Sequence, residues 1–295
     1  ILSNLRKLHD QLGEADTLLV MGALAMRLGE LEEARSKYET ALIIYQNIGY
    51  NRGEANTLWE LGNLIMQLND FEEARSKYKK ALIIYENIGE KLGQANTFGH
   101  LGDLAVQTND FEEARSKYET ALAIHQSIGD KIGEANIFDY LGDLAVQTND
   151  FEEARSKYET ALAIHQSIGD KLSEAYMIIR LGQWAVLADR LDQAETYLNN
   201  ASTLCEEIED LEVQADAHMV KALVFLKHHE IVKARKELDY CSSIQDKARA
   251  HYRTSQWLTL YAVHLRSHDF QEGAKICLEY AEKSASKTRN QHLQR

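Results

Sequence analysis

Residues 53–92 read GEANTLWELGNLIMQLNDFEEARSKYKKALIIYENIGEKL, and the same pattern returns at 93–132 and 133–172, a period of 40 residues. The stretch 101–131 is identical to 141–171, letter for letter. Residues 13–52 form a looser copy, and 173–212, 213–252 and 253–292 are progressively more divergent copies in the same register. Self-similarity at a fixed period of this length marks stacked units, none of which can bury its apolar surface alone.

Each copy carries two helical patterns. In 53–92, Leu58, Leu61, Gly62 and Ile65 fall at i, i+3, i+4 and i+7, one face of a helix. Asn69-Asp70 interrupts the pattern, and Asp70 with Glu73 has the form of a capping box, in which each side chain satisfies the other's backbone N–H. Phe71, Ala74, Tyr78, Ala81 and Leu82 then define a second helix, which Gly89 ends by adopting the left-handed conformation. Glu73 and Lys77, four apart, add a surface pair. Gly62, Ala74 and Ala81 leave little side chain between the helices. Tyr38, Tyr78, Tyr118 and Tyr158 recur at one position and are expected to fill the space between hairpins as core rather than to form a ligand stripe.

The combination Leu61-Gly62, Ala74, Tyr78, Ala81 resembles the tetratricopeptide signature. The family's usual period is ~34 residues and carries a proline after the last alanine. Here Glu86, Gln126 and Gln166 stand in that place, so the second helix runs longer. This long form resembles the repeats of kinesin light chains and of the spindle-orientation adaptor with Leu-Gly-Asn repeats, a triplet present as Leu61-Gly62-Asn63. The resemblance implies an all-α fold, a right-handed superhelical solenoid of stacked antiparallel helix pairs. The expected organisation is 1–12 as the second helix of a truncated preceding repeat, 13–212 as five regular repeats, 213–292 as two divergent ones, and 293–295 as a tail. The first boundary rests on aligning Arg6–Leu12 with Glu86–Leu92, from which a piece of a longer protein, or missing upstream residues, is expected. In the sixth repeat Lys221-Ala222 stands where Leu-Gly is expected, so packing there should depart from the regular form.

The resemblance further implies a concave groove lined by the first helix of each pair and occupied by a protein or peptide. The stripe that would face it is Asn56, Trp59, Glu60 and Asn63, then Asn96, Gly99, His100 and Asp103, then Asn136, Asp139, Tyr140 and Asp143, each set on one side of its helix. The asparagines would form a ladder of amides suited to a peptide backbone. Glu60, Asp103, Asp139 and Asp143 would make the groove acidic, and Trp59 and Tyr140 are aromatic anchors of the type enriched at binding hot spots. Of the five differences between the third and fourth repeats, four lie on or near the first helix, at Gln94/Glu134, Thr97/Ile137, Gly99/Asp139 and His100/Tyr140. The partner is expected to be basic or of mixed polarity. The leading expectation is thus an interaction scaffold. The alternative is the ligand-sensing end of a larger signal-transduction NTPase of the innate-immune type, or a peptide-responsive regulator, since similar long repeats serve there.

Composition agrees with that class. The chain has 295 residues, no proline to break helices, and a net charge of −13. Residues 1–212 hold 19 basic and 37 acidic residues, whereas 213–295 hold 14 basic and 9 acidic ones. An acidic body argues against nucleic-acid binding, which needs basic surface. No apolar run reaches the ~18 residues of a membrane span. Cys205, Cys241 and Cys277 are too few and too odd in number for a disulfide framework, suit a reducing, cytoplasmic setting, and are expected to be buried. His264 and His268 have ligand spacing but lack the glutamate of a metalloprotease, and His228-His229-Glu230 falls at a turn. His125 and His165 repeat one position by duplication, and the carboxylate pairs such as Glu112-Glu113 sit at helix starts, where the dipole favours them. No catalytic residue, cofactor or metal is therefore expected. The basic end, with Lys283, Lys287, Arg289 and Arg295, is a candidate cap or second surface, and near-identical repeats allow end-to-end self-association.

Overall fold

The computed structural model describes residues 2–248, 252–267 and 270–293. Among them every regular element is a helix. In chain order these are α1 Leu2–Leu28, α2 Leu31–Ile48, α3 Asn51–Gln67, α4 Phe71–Asn87, α5 Lys91–Gln107, α6 Phe111–Ile128 and α7 Lys131–Gln147. There follow α8 Phe151–Ile168, α9 Lys171–Leu187, α10 Leu191–Ile208, α11 Leu211–Lys227, α12 Ile231–Ala248, α13 Tyr252–Ser267 and α14 Gln271–Leu293. They fall into two compact units, 1–144 and 145–294, the division lying near the end of α7. In the first unit each of α1 to α5 packs on the next, and the first helices of successive pairs, α1, α3 and α5, also touch. In the second unit α9 packs on α10, α11 on α12 and α13 on α14, with α11 contacting both α9 and α13.

The joints explain the period. A residue with positive φ follows each of α1 to α11 and recurs every twenty residues: Gly29, Gly49, Asn69, Gly89, Asn109, Gly129, Asn149, Gly169, Asp189, Glu209 and His229. Such residues turn the chain out of the helix while its last carbonyls are still satisfied. At Asn69, for example, the N–H donates to the Met66 carbonyl at 3.0 Å, and the next N–H, of Asp70, donates to the Ile65 carbonyl at 3.3 Å. Asp70 then caps α4 by accepting from the Glu73 N–H at 3.0 Å. Only that half of the expected capping box forms. The Asp70 N–H is already taken by Ile65, and the Glu73 carboxylate pairs with Lys77 at 3.6 Å.

One boundary differs from expectation. The repeat alignment puts a joint near residue 12, yet Leu2–Leu28 is a single helix with Gly13 inside it. His9 stands where Gly49 and Gly89 stand, so the left-handed residue that would end a helix is missing.

The Leu-Gly pair has a steric cause different from close backbone approach. A Cβ on Gly62 would lie 2.5 Å from Tyr78 Cε1, one on Gly102 2.5 Å from Tyr118 Cε1, and one on Gly22 2.6 Å from Tyr38 Cδ1. The missing side chain makes room for the tyrosine ring of the paired helix, and all three tyrosines are buried. Where the tyrosine becomes leucine the glycine is no longer required. A Cβ at Gly182 would meet nothing nearer than 3.5 Å, and Ala222 opposite Leu238 and Ala262 opposite Leu278 occupy the same repeat position. This accounts for the Lys221-Ala222 departure: Ala222 and Leu238 are both buried, and α11 and α12 still pack as a pair.

Ion pairs 38 residues apart tie neighbouring repeats. Arg75 meets Glu113 at 2.8 Å with both side chains mostly buried, Arg190 meets Glu152 at 2.5 Å, and Lys227 meets Asp189 at 3.0 Å. Cys205, Cys241 and Cys277 are buried and free, and burial pushes the Cys205 thiol up to about 11. No helix among the described residues is long and apolar enough to cross a membrane.

Candidate binding face of the first unit

The proposed stripe lies wholly within the first unit, on α3, α5 and the first part of α7. Two hollows adjoin it. The larger, about 270 Å³, is lined by Asn56, Trp59, Glu60 and Asn96 of the stripe together with Arg52, Tyr85 and Glu90. The smaller, about 80 Å³, brings together Asn96, His100, Asp103, Asn136 and Tyr140. Nine of the twelve stripe residues, Gly99 among them, therefore border one hollow or the other. Asn63, Asp139 and Asp143 border neither.

The stripe is not a uniform amide ladder, because the core tyrosines use part of it. Tyr85 donates its hydroxyl to Asn56 Oδ1 at 2.7 Å and Tyr78 donates to Asn63 Oδ1 at 2.8 Å. Tyr118 donates to Asp103 Oδ1 at 2.7 Å. These bonds satisfy the buried phenols and fix the rotamers of the acceptors, leaving the Asn56 amide N–H groups as donors. In the third repeat His125 replaces the tyrosine and turns to Asp130 instead, Nδ1 to Oδ2 2.9 Å. Asn96 and Asn136 are both exposed.

Around Trp59 the environment is aromatic and acidic. Its ring meets His100 edge-on at 5.0 Å between centroids, and His100 stacks on Tyr78 at 5.7 Å. His100 Nδ1 lies 3.4 Å from Asp103 Oδ2. The Trp59 indole N–H is buried and has no hydrogen-bond partner among the described residues. Beside it the Glu60 carboxyl is held above its ordinary range by desolvation, eased by the Asn63 amide at 3.5 Å and by His100. Tyr140 packs on Tyr118 with centroids 5.7 Å apart.

The repeat-to-repeat differences divide in two. Gln94 is buried and donates to the Tyr85 carbonyl at 3.1 Å, and its counterpart Glu134 binds Lys131 at 2.7 Å. Thr97 donates to the Gly93 carbonyl, and Ile137 joins the core of its unit. Those two differences serve packing, whereas Gly99/Asp139 and His100/Tyr140 fall on the stripe. Arg52, Tyr85 and Glu90 escaped the sequence reading. Tyr85 had a signal, its recurrence from Tyr45, whereas Glu90 caps α5 by accepting from the Gly93 N–H and carries no repeat signal for lining a hollow. Of the histidine pair with ligand spacing, His264 Nε2 lies 3.1 Å from Lys227 Nζ and His268 lies outside the described residues. The side chains of Lys287, Arg289 and Arg295 lie outside them too.

A family profile described as tetratricopeptide repeat matches residues 13–87, 53–127 and 93–167. No curated protein sequence matches the chain. Among solved structures, aspartyl phosphate phosphatase F from Bacillus subtilis is similar with a TM-score of 0.80 at 12% identity, covering 96% of this chain and 73% of that one. The Rap conjugation gene regulator of the plasmid pLS20, in complex with the Phr* peptide, has a TM-score of 0.72 at 16% identity, covering 96% and 76%. A signal transduction ATPase with numerous domains from Pyrococcus horikoshii, which carries a tetratricopeptide repeat sensor, has a TM-score of 0.62 at 14% identity, covering 96% and 47%. At these identities the likeness is one of fold.

Proposed function

Because this chain belongs to the tetratricopeptide repeat family, we propose that it acts by binding, and that the stripe on α3, α5 and α7 holds a peptide segment with at least one basic side chain. The observation that carries this reading is the hollow beside Trp59. A desolvated carboxylate, Glu60, lines it together with Trp59, whose buried indole N–H has no partner among the described residues, with Glu90, and with the amides of Asn56 and Asn96. An ammonium or guanidinium entering it would relieve the desolvation of Glu60 and lie against an aromatic face. The asparagine amides would meet the peptide backbone. A peptide-bound regulator among the structural neighbours supports the same class of ligand.

The test is capture of proteins by this chain beside the double variant Asn96→Ala, Asn136→Ala, with helicity checked by circular dichroism. A partner held by the parent and lost by the helical variant is the expected result, and equal capture by both would move the site elsewhere. For a captured partner, raising salt from about 0.05 to about 0.3 M should weaken binding, since opposite charges are then screened. An affinity independent of salt would remove the acidic-groove element of the reading.

A second reading is the sensor region of a larger signalling ATPase, favoured by the neighbour whose repeats are named a sensor. Under it, recognition needs domains outside this chain, and capture would fail with this chain but succeed with the longer protein.

A further inference from the structure

In the second unit a cavity of about 260 Å³ opens between α10 and α11. Its position in the repeat is informative. In the regular repeats the same interface is filled: Tyr78 and Leu82 of α4 pack with Phe98 and Leu101 of α5 in one apolar cluster. Three repeats further on, the corresponding residues are Leu198, Ser202, His218 and Lys221, and all four line the cavity. Each exchange removes apolar bulk or replaces it with a polar group, so the side chains themselves leave space at this interface.

The polar side is held in place from behind. Glu237 on α12, mostly buried, lies 2.6 Å from His218 Nδ1 and 3.3 Å from Lys221 Nζ, one carboxylate oxygen to each. The His218 ring is also set edge-on against Tyr240, with centroids 4.5 Å apart. Lys221 itself remains half-exposed, and an ammonium has three N–H donors, of which Glu237 uses one direction. The apolar lining is Leu198 on α10 with Val224 and Phe225 on α11, while Asn199, Ser202 and Glu195, whose carboxylate lies 3.7 Å from His228 Nε2, complete the α10 side. The volume lies just below the ~300 Å³ at which small-molecule pockets begin, which suits one fragment-sized group.

We propose that this cavity binds an apolar group carrying one carboxylate, with the apolar part against Leu198, Val224 and Phe225 and the carboxylate on Lys221. Such a group is found both in a free small carboxylic acid and in the C-terminal residue of a peptide. The site lies in the other unit from the stripe and does not depend on it.

Calorimetric titration of the whole chain separates the outcomes. The probes are phenylacetate, the tripeptide Gly-Gly-Phe, and the primary amide of each. Saturable binding of either acid, with its amide at least about tenfold weaker, is expected. Binding of phenylacetate alone assigns a free acid, and binding of the tripeptide alone assigns a chain terminus. The variant Ser202→Leu, Lys221→Leu restores the residues of the regular repeats and should abolish binding while holding or raising the melting temperature, so the loss cannot be ascribed to unfolding. Lys221→Met, which keeps the length of the side chain, should weaken binding at least about tenfold on its own. No saturable heat with either acid up to about 10 mM, amides that bind as well as acids, or binding that persists in the filled variant would each overturn the proposal.

Discussion

Gly62 and Gly182 hold the same place in their repeats, yet a methyl group would meet the Tyr78 ring at one and ordinary van der Waals neighbours at the other. Gly62→Ala should therefore destabilise by about 1–3 kcal/mol, as overpacking does. Gly182→Ala should stabilise by up to about 1 kcal/mol, the helix propensity gained. Urea unfolding of the two variants checks both signs. The tyrosines permit a companion test. Tyr78→Phe loses the bond to Asn63 and should cost about 1 kcal/mol. The Tyr38 hydroxyl is buried without a partner among the described residues, because Ala23 stands where Asn63 and Asp103 stand, so Tyr38→Phe should be neutral or stabilising in the same assay. At this scale the sequence shows that tyrosine recurs and is core. It does not show that Asn56 and Asn63 are already bonded to tyrosines 29 and 15 residues away, since that depends on rotamers set by packing.

At the scale of the helix, the left-handed joints and their caps govern stability. Glu209 adopts φ 55° at a joint where glycine is the unstrained choice. Glu209→Gly should stabilise the second unit by about 1 kcal/mol, measured by urea unfolding. The junction of α8 with α9 carries a pH response. Burial holds the His165 imidazole below its ordinary value of 6.5 against the opposing pull of Asp170, and bonds from Lys171 and Gln166 hold the Glu174 carboxyl below 4.5. Both folded pKa values are depressed, so stability is greatest above the unfolded values and falls as protons bind the unfolded chain preferentially. The melting temperature should decline as pH drops below about 6.5, and again below about 4.5. His165→Asn should flatten the upper decline and Glu174→Gln the lower. The duplicate junction is not equivalent despite identical flanking sequence. Gly133 leaves space for His125, whereas Ser173 fills it, and the histidine–aspartate distance opens from 2.9 to 3.5 Å. Helix positions were legible from the period, while the handedness of Asn69 and the missing joint near residue 12 were not. A repeat alignment scores similarity and is blind to a single residue, such as His9, that removes a turn.

Over the whole chain the two units differ in how their cores connect. The second is built on one continuous apolar cluster running from Ala145 to Ala281, whereas the first divides into four smaller ones. Because stability in stacked repeats is a sum of local and nearest-neighbour terms, unfolding need not be a single step. Trp59 reports on the first unit, and Trp184 and Trp257 on the second. In urea, a variant keeping only Trp59 should show a lower midpoint by fluorescence than one keeping only Trp184, and coincident midpoints would show that the units unfold together. The fold class was legible because seven copies of one pattern reinforce one another. The cavity between α10 and α11 was legible only in part. Lys221 stood out as a departure, but its meaning required Ser202 and His218 to be seen lining one cavity with it.

The even spacing of the left-handed joints also bears on how such a gene changes length. Inserting or losing a few residues within a helix moves every later joint out of step with its cap and its partner helix. Copying or deleting a block of forty residues leaves each glycine, asparagine and capping aspartate where it is needed, which is what the twin stretches 101–131 and 141–171 record. Inheritance can lengthen or shorten this molecule freely, provided it does so in whole repeats.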